Sequence, residues 1–184
     1  NIELLEEKNK ENVNEKVFRT VIDGNNNRFV RAIVSKRYKD YNIPFSVFAT
    51  LIQLHNLSKK GNNNFSISNY SLTDSDIRVE FKNEKEYELY NKSKVSFSLV
   101  LTNDEIKRDS VKLKGIFSIK INKVEAYLNP SYNKTNILSF RHGVKVSTVK
   151  DELSILDITI TDFIEGTLDD LKFIKDIDKG SNIK

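Results

Sequence analysis

The sequence predicts an α+β fold in which N-terminal helices pack on an antiparallel β-sheet domain, followed by a short C-terminal helix. Three observations lead to this class. The first 60 residues place apolar residues at helical spacing, next to residues that start and stop helices. After Gly61 the pattern changes to short runs of alternating apolar and polar residues. The helices precede the strands, and the strands follow one another at short spacing with one polar face. The sheet is therefore expected to be antiparallel, either a sandwich or a strongly curved sheet.

The segment from Ile2 to Ile22 is predicted to be a helix with a thin apolar stripe, ended by a glycine and three asparagines. Such a narrow stripe is typical of a helix that lies on a surface or continues upstream. We therefore interpret residues 1–23 as a helical arm and residues 24–184 as a single α+β domain. Leu4 and Leu5, at the exposed start of the arm, are its candidate docking residues.

Residues 28–60 are predicted to be the helical part of the domain. The run from Arg28 to Tyr38 fits a helix or a strand, since it is short and rich in Phe, Val and Ile, and we favour a helix. Pro44 suits the first turn of the next helix, where a missing N–H costs no hydrogen bond. That helix, from Phe45 to Leu57, is apolar around most of its circumference, which predicts a central helix.

The β-rich part is predicted over residues 62–165. Apolar and polar residues alternate in runs that begin at Ile77, Val95 and Val111. Gly115 occupies a core-facing position of the third run, which indicates a bulge, a bend or a close approach of another backbone.

Further strands are predicted later in the β-rich part. The alternation changes parity between Ile121 and Val124, as an inserted β-bulge would cause. Three more strand-like runs are Ile137–Phe140, Val144–Val149 and Leu153–Ile164. A helix over residues 167–178 is predicted to close the chain.

The composition excludes several kinds of site. The chain has no Cys, Met or Trp and only two His, so cysteine nucleophiles, disulfides and thiolate metal sites cannot form. His142 is predicted to be a turn residue, and His55 a hydrogen-bonded core residue of the apolar helix. None of the common nucleotide-binding, metalloprotease or hydrolase motifs occurs. We therefore expect a protein that is not an enzyme and that uses no cofactor or metal.

Charge is unevenly distributed along the chain. The net charge is +4, and basic residues are concentrated between Arg28 and Lys60. The candidate contacts for an anionic partner are Arg28, Arg31, Lys36, Arg37 and Lys39. Acidic residues are concentrated between Asp151 and Asp178. Because the basic residues are interspersed with core-type apolar ones, the favoured interpretation is that the basic and acidic segments face each other or that both are solvated, and nucleic-acid binding is the alternative function.

The leading hypothesis is a non-enzymatic binding or assembly module of the bacterial cell envelope or surface, which contacts a protein or a cell-surface polymer. Abundant Asn, Lys and Ile indicate an AT-rich bacterial genome, and a chain that starts at Asn1 without Met indicates a processed or trimmed product. An extracytoplasmic location is the expectation, with the cytoplasm as the alternative. No apolar run reaches the ~18 residues that a membrane span requires.

Overall fold

Eleven secondary-structure elements form the described part of the chain. The structure is a computed structural model and describes residues 16–39, 41–61, 63–88, 94–106, 110–121, 124–128 and 136–180. In chain order the elements are β1 (Lys16–Ile22), β2 (Arg28–Ser35), α1 (Ile43–Lys60), β3 (Phe65–Leu72), β4 (Asp76–Glu88), β5 (Lys94–Asp104), β6 (Val111–Ile121), β7 (Val124–Leu128), β8 (Asn136–Phe140), α2 (Val146–Ser154) and α3 (Leu156–Gly180).

A six-stranded antiparallel sheet forms the centre of the protein. Its strand order is β3-β4-β5-β6-β7, and β8 also pairs with β6. β5 pairs with β6 from Lys94 opposite Lys120 to Thr102 opposite Lys112. On the other edge of β6, β7 pairs with the end of the strand and β8 pairs with its beginning. β6 is therefore flanked by three strands.

The core lies between one face of this sheet and the helices. Phe81, Phe97 and Phe117, on three adjacent strands, are fully buried. They belong to one apolar cluster with Leu54 of α1 and Ile160 of α3. The strands predicted from the runs beginning at Ile77, Val95, Val111 and Ile137 are confirmed as β4, β5, β6 and β8, although β5 is buried on both faces. The helix predicted to start near Pro44 is confirmed as α1.

The prediction that helices precede the sheet is wrong. The first two described elements are strands, which pair antiparallel from Lys16 opposite Ser35 to Ile22 opposite Arg28. The sequence RFVRAIVS of β2 is rich in residues that favour an extended backbone once a partner strand is present. Of the three helices, α2 and α3 both lie at the C-terminal end. The fold keeps the expected antiparallel strands and helices but not the expected order.

The run of glycine and asparagines after β1 is a hairpin turn rather than a helix end. The Asp23 carboxylate accepts the backbone N–H groups of Asn25 and Asn27, each at 2.8 Å, and the side-chain amide of Asn27 at 2.9 Å. Asn26 has a φ of 66°, in the left-handed region that Asn tolerates. The side-chain hydrogen bond from Asn27 is the main cause that lowers the pKa of Asp23.

The prediction of two strands between Val144 and Ile164 is wrong, because most of these residues form α2 and the beginning of α3. Their β-branched threonines are accommodated by hydrogen bonds within α3. Thr159 donates its hydroxyl to the carbonyl oxygen of Ile155 at 3.1 Å, and Thr161 donates to that of Asp157 at 2.9 Å. The predicted C-terminal helix is confirmed as part of α3, which begins earlier, at Leu156.

The parity change after Ile121 marks a hairpin and not a β-bulge. β7 pairs antiparallel with β6 from Ile121 opposite Val124, so the chain reverses direction at this point. Reversal, like a bulge, changes which residues face the core, and the two causes look alike in the sequence. β3 is a strand that the sequence did not predict.

Residues 1–15 lie outside the described residues, and with them most of the predicted arm, including Leu4 and Leu5. From Lys16 onwards the segment predicted as helical is a strand. The division into an arm and a domain at residue 23 stays a prediction. Within the described ranges, no helix is both long and apolar enough to cross a membrane.

Candidate protein-binding surface

The β1–β2 hairpin exposes large apolar side chains on both of its faces. Phe18 lies opposite Ile33 on one face and Val21 lies opposite Phe29 on the other, because paired residues of an antiparallel ladder share a face. Phe29 is 57% exposed and Ile33 is 55% exposed. With Val17, Ile22 and Val30, which are also exposed, these residues form what we call the hairpin surface.

Side chains of this kind are normally covered in a soluble protein. Single exposed apolar residues are common, but contiguous apolar patches of several hundred Å² usually mark interaction sites. A two-stranded ribbon can bury one face on its own protein at most, and here Val34 is the large apolar side chain of the hairpin that is fully buried. The hairpin surface is therefore suited to contact another polypeptide.

Glu105 attaches the hairpin to the rest of the protein. Its carboxylate oxygen Oε2 lies 3.2 Å from Nη1 of Arg31 on β2, and Oε1 accepts the backbone N–H of Ile43 at 2.7 Å. Its backbone carbonyl oxygen accepts the Tyr38 hydroxyl at 2.9 Å and the guanidinium of Arg19. The carboxylate thus joins β2 to the start of α1. Hydrogen bonds and an ion pair to Glu105 therefore hold the hairpin against the rest of the protein.

A cleft of about 650 Å³ separates the hairpin from the turn before β4. Val21 and residues 29–31 of the hairpin line it, as do Thr73 to Asp76 of the turn and Ile106 after β5. The Thr73 hydroxyl donates to the Asp76 carboxylate at 3.1 Å, which orders this turn. The hairpin wall is apolar except for Arg31 and the turn wall is polar, so an extended chain could bury side chains and satisfy its backbone there.

The helix α1 carries a second exposed apolar surface. Its buried side includes the small polar residues Ser46 and Thr50, each 2% exposed, while Phe48 and Ile52 on the opposite side are 66% and 56% exposed. Leu54 and Leu57 are also buried, so large apolar residues lie on both sides of α1, unlike the distribution typical of a helix that faces water on one side. We call Phe45, Phe48, Leu51 and Ile52 together the α1 stripe.

Local hydrogen bonds explain how α1 can bury polar residues. Thr50 donates to the carbonyl oxygen of Ser46 at 2.8 Å, and Asn103 of β5 donates to the Ser46 hydroxyl at 3.2 Å. Small side chains at these positions let the helix approach the sheet closely. The helix is therefore central on one side, as predicted, and exposed on the other. His55 lies on the exposed side, so its predicted core position is wrong.

The other histidine, His142, lies in a turn as predicted. It is 3% exposed, and its ring stacks on Tyr38 with 4.9 Å between ring centroids. No group of three or more His, Asp or Glu within the described residues is placed to hold a metal ion.

The five basic residues predicted for an anionic partner are not gathered into one patch. Arg28 lies beside the hairpin turn, and Arg31 is engaged in the ion pair described above. Lys36, Arg37 and Lys39 are exposed beyond the other end of β2, and Lys36, the nearest of them in sequence, lies roughly 26 Å from Arg28 along an extended strand. Binding of an anion by these residues stays a prediction.

Comparisons with protein-family models, with curated proteins and with solved structures found no significant match. The two exposed apolar surfaces are therefore the features on which a function can be proposed.

Proposed function

We propose that this protein is a non-enzymatic protein-binding module whose β1–β2 hairpin binds an apolar segment of a partner protein. The observation that carries the proposal is the exposure of large apolar side chains on both faces of the hairpin. The location at a bacterial cell surface belongs to the same proposal and is supported by the sequence alone.

The free energy that burial of one hairpin face would contribute supports a binding role. This face carries Phe18 and Ile33. Phe18, Ile22, Val30 and Ile33 are 37%, 53%, 60% and 55% exposed, which together equals about two whole side chains. Covering them would contribute about 3–6 kcal/mol, at about 1.5–3 kcal/mol for each fully buried side chain. Association itself costs about 4–15 kcal/mol. A partner must therefore add contacts in the cleft or hydrogen bonds, and we expect moderate affinity.

Nucleic-acid binding by the basic stretch is the second candidate. Within this stretch Arg31 pairs with Glu105 and Lys60 pairs with Asp157, so part of the positive charge is already balanced inside the protein. No observation favours it over the hairpin surface, and it ranks below protein binding.

The experiment is a peptide-binding assay with matched variants. An array of extended peptides rich in Leu, Val and Phe is screened, and the best peptide is labelled for fluorescence polarisation. We expect the double substitution Phe18→Ser with Ile33→Ser to weaken binding at least about tenfold, which corresponds to about 1.4 kcal/mol.

The control substitution is Tyr127→Ser, which removes a 67% exposed aromatic side chain from β7, outside the hairpin. It should leave the affinity for the peptide unchanged. Equal affinities of the wild-type protein and the double variant, with unchanged melting temperatures, would show that the hairpin is not the binding surface.

A further inference from the structure

The α1 stripe is separate from the hairpin surface, and no element of the described part of the chain covers it. The stripe has four large apolar side chains and no charge, and α1 as a whole contains no acidic residue. The stripe faces away from the core, while Leu54 and Leu57 face it together with Ser46 and Thr50. A helix with this distribution is arranged to be covered on both sides.

We propose that α1 is a homodimer interface, in which the α1 stripe packs antiparallel on the same stripe of a second copy of this chain about a two-fold axis. The proposal does not depend on peptide binding by the hairpin. A second copy is a suitable occupant because its own stripe is equally uncovered, and one isologous contact buries both at once.

The charges on α1 fix the direction of the pairing. The basic residues of the helix, Lys59 and Lys60, lie in its last turn, and Lys60 already pairs with Asp157. A parallel pair would bring the lysines of both copies together. An antiparallel pair centred between Phe48 and Ile52 separates them by about 27 Å, at 1.5 Å of rise for each residue.

The area of the stripe sets the expected strength of the dimer. Phe48 and Ile52 are 66% and 56% exposed, and Phe45 and Leu51 are 37% exposed each. At about 200 Å² for a large side chain this gives about 400 Å² of apolar surface per copy. Exposed neighbours such as His55 and Lys59 bring the pair to on the order of 1,000 Å², the lower limit of specific interfaces. We therefore expect a reversible dimer with a Kd on the order of micromolar.

Sedimentation velocity tests the proposal directly. Between about 1 and about 500 µM the wild-type protein should shift from monomer to dimer, since this range brackets a micromolar Kd. Phe48→Asp and Ile52→Asp should each keep the protein monomeric over the whole range. Tyr127→Asp, outside α1, should dimerise like the wild-type protein. A wild-type protein that stays monomeric, or aspartate variants that still dimerise, would overturn the proposal.

The cysteine-free chain allows a second test of geometry. Under mild oxidation, Ile52→Cys near the centre of the stripe should form a disulfide-linked dimer, while Lys59→Cys should not. Crosslinking at Lys59→Cys as fast as at Ile52→Cys would contradict the antiparallel arrangement. The hairpin double variant, Phe18→Ser with Ile33→Ser, should still dimerise. Loss of peptide binding with dimerisation intact separates the two proposals.

Discussion

Gly115 of β6 is the position where one added methyl group has the most predictable effect. A Cβ atom there would lie 2.0 Å from Cε1 and 2.5 Å from Cζ of Phe163 on α3. The ring of Phe163 cannot move freely, because its centroid lies 5.6 Å from that of Phe97 and 5.5 Å from that of Phe117. Gly115→Ala must therefore displace the half-buried ring of Phe163 from its contacts with Phe97 and Phe117.

The expected cost follows from two opposing effects. In a strand without steric conflict, replacing Gly by Ala stabilises a protein by about 0.5–1 kcal/mol. Overpacking a filled core costs about 1–3 kcal/mol, and the close approach to an aromatic ring places Gly115→Ala at the upper end. We expect Gly115→Ala to lower the free energy of unfolding by about 2 kcal/mol. At an uncrowded strand position the same substitution would raise it.

Urea unfolding at a fixed protein concentration measures this loss. The m-values of the variant and the wild-type protein should be equal, which checks that both expose the same surface on unfolding. Gly166→Ala is the matched control, because Gly166 lies within α3 and a Cβ there meets nothing within 4 Å. This control should stabilise the protein by about 1 kcal/mol. In a Phe163→Ala background the cost of Gly115→Ala should vanish. An equal cost in both backgrounds would refute the contact as its cause.

Two further substitutions test the sheet and the junction of α1 with α3. Phe117→Ala should cost about 3–5 kcal/mol because Phe117 is fully buried, whereas Lys120→Ala on the exposed face of the same strand should be near neutral by urea unfolding. The hydrogen bond from Lys60 lowers the pKa of Asp157, so this carboxylate stabilises the fold above its unfolded-state pKa and loses that effect as the pH falls through its lower folded value. Asp157→Asn should thus be less stable than the wild-type protein at pH 7, by about 1 kcal/mol or less, and the difference should disappear in strong acid.

The strands of the central sheet could be predicted because apolar residues on the face toward the helices alternate with mostly polar residues on the other face, even in β5, where Ser96 and Ser98 are buried as well. In β4 this is the alternation of Val79 and Phe81, which are buried, with Arg78 and Glu80, which are less so. The alternation fails as a guide where a helix mimics it. In α3, Leu156 and Ile160 are buried, but Ile158 is 58% exposed, so the apparent period of two is accidental.

The candidate surfaces were harder to predict, since exposure depends on neighbours that are distant in sequence. The sequence did not predict the hairpin surface, because a helix was favoured for β2. Odd and even positions of a strand lie on opposite faces, so apolar residues at both are unusual for a ribbon that buries only one face. The α1 stripe did leave a signal. Ser46 and Thr50 lie on the side of the helix opposite Phe48. Small polar residues on the buried side and large apolar residues on the opposite side are the pattern that indicates contacts on both sides.

The position of β6 has a consequence for how the protein opens. Backbone amides of a strand that is paired along both edges exchange with solvent only when the whole sheet unfolds, whereas a ribbon with few buried contacts exchanges by local opening. Protection against hydrogen exchange should therefore be highest in Val111–Ile121 and much lower in the β1–β2 hairpin. The hairpin surface would then lie on an element that opens more readily than β6. A bound partner would slow exchange in the hairpin, and because it binds only the folded protein it would also slow the exchange of β6 that requires unfolding of the whole sheet.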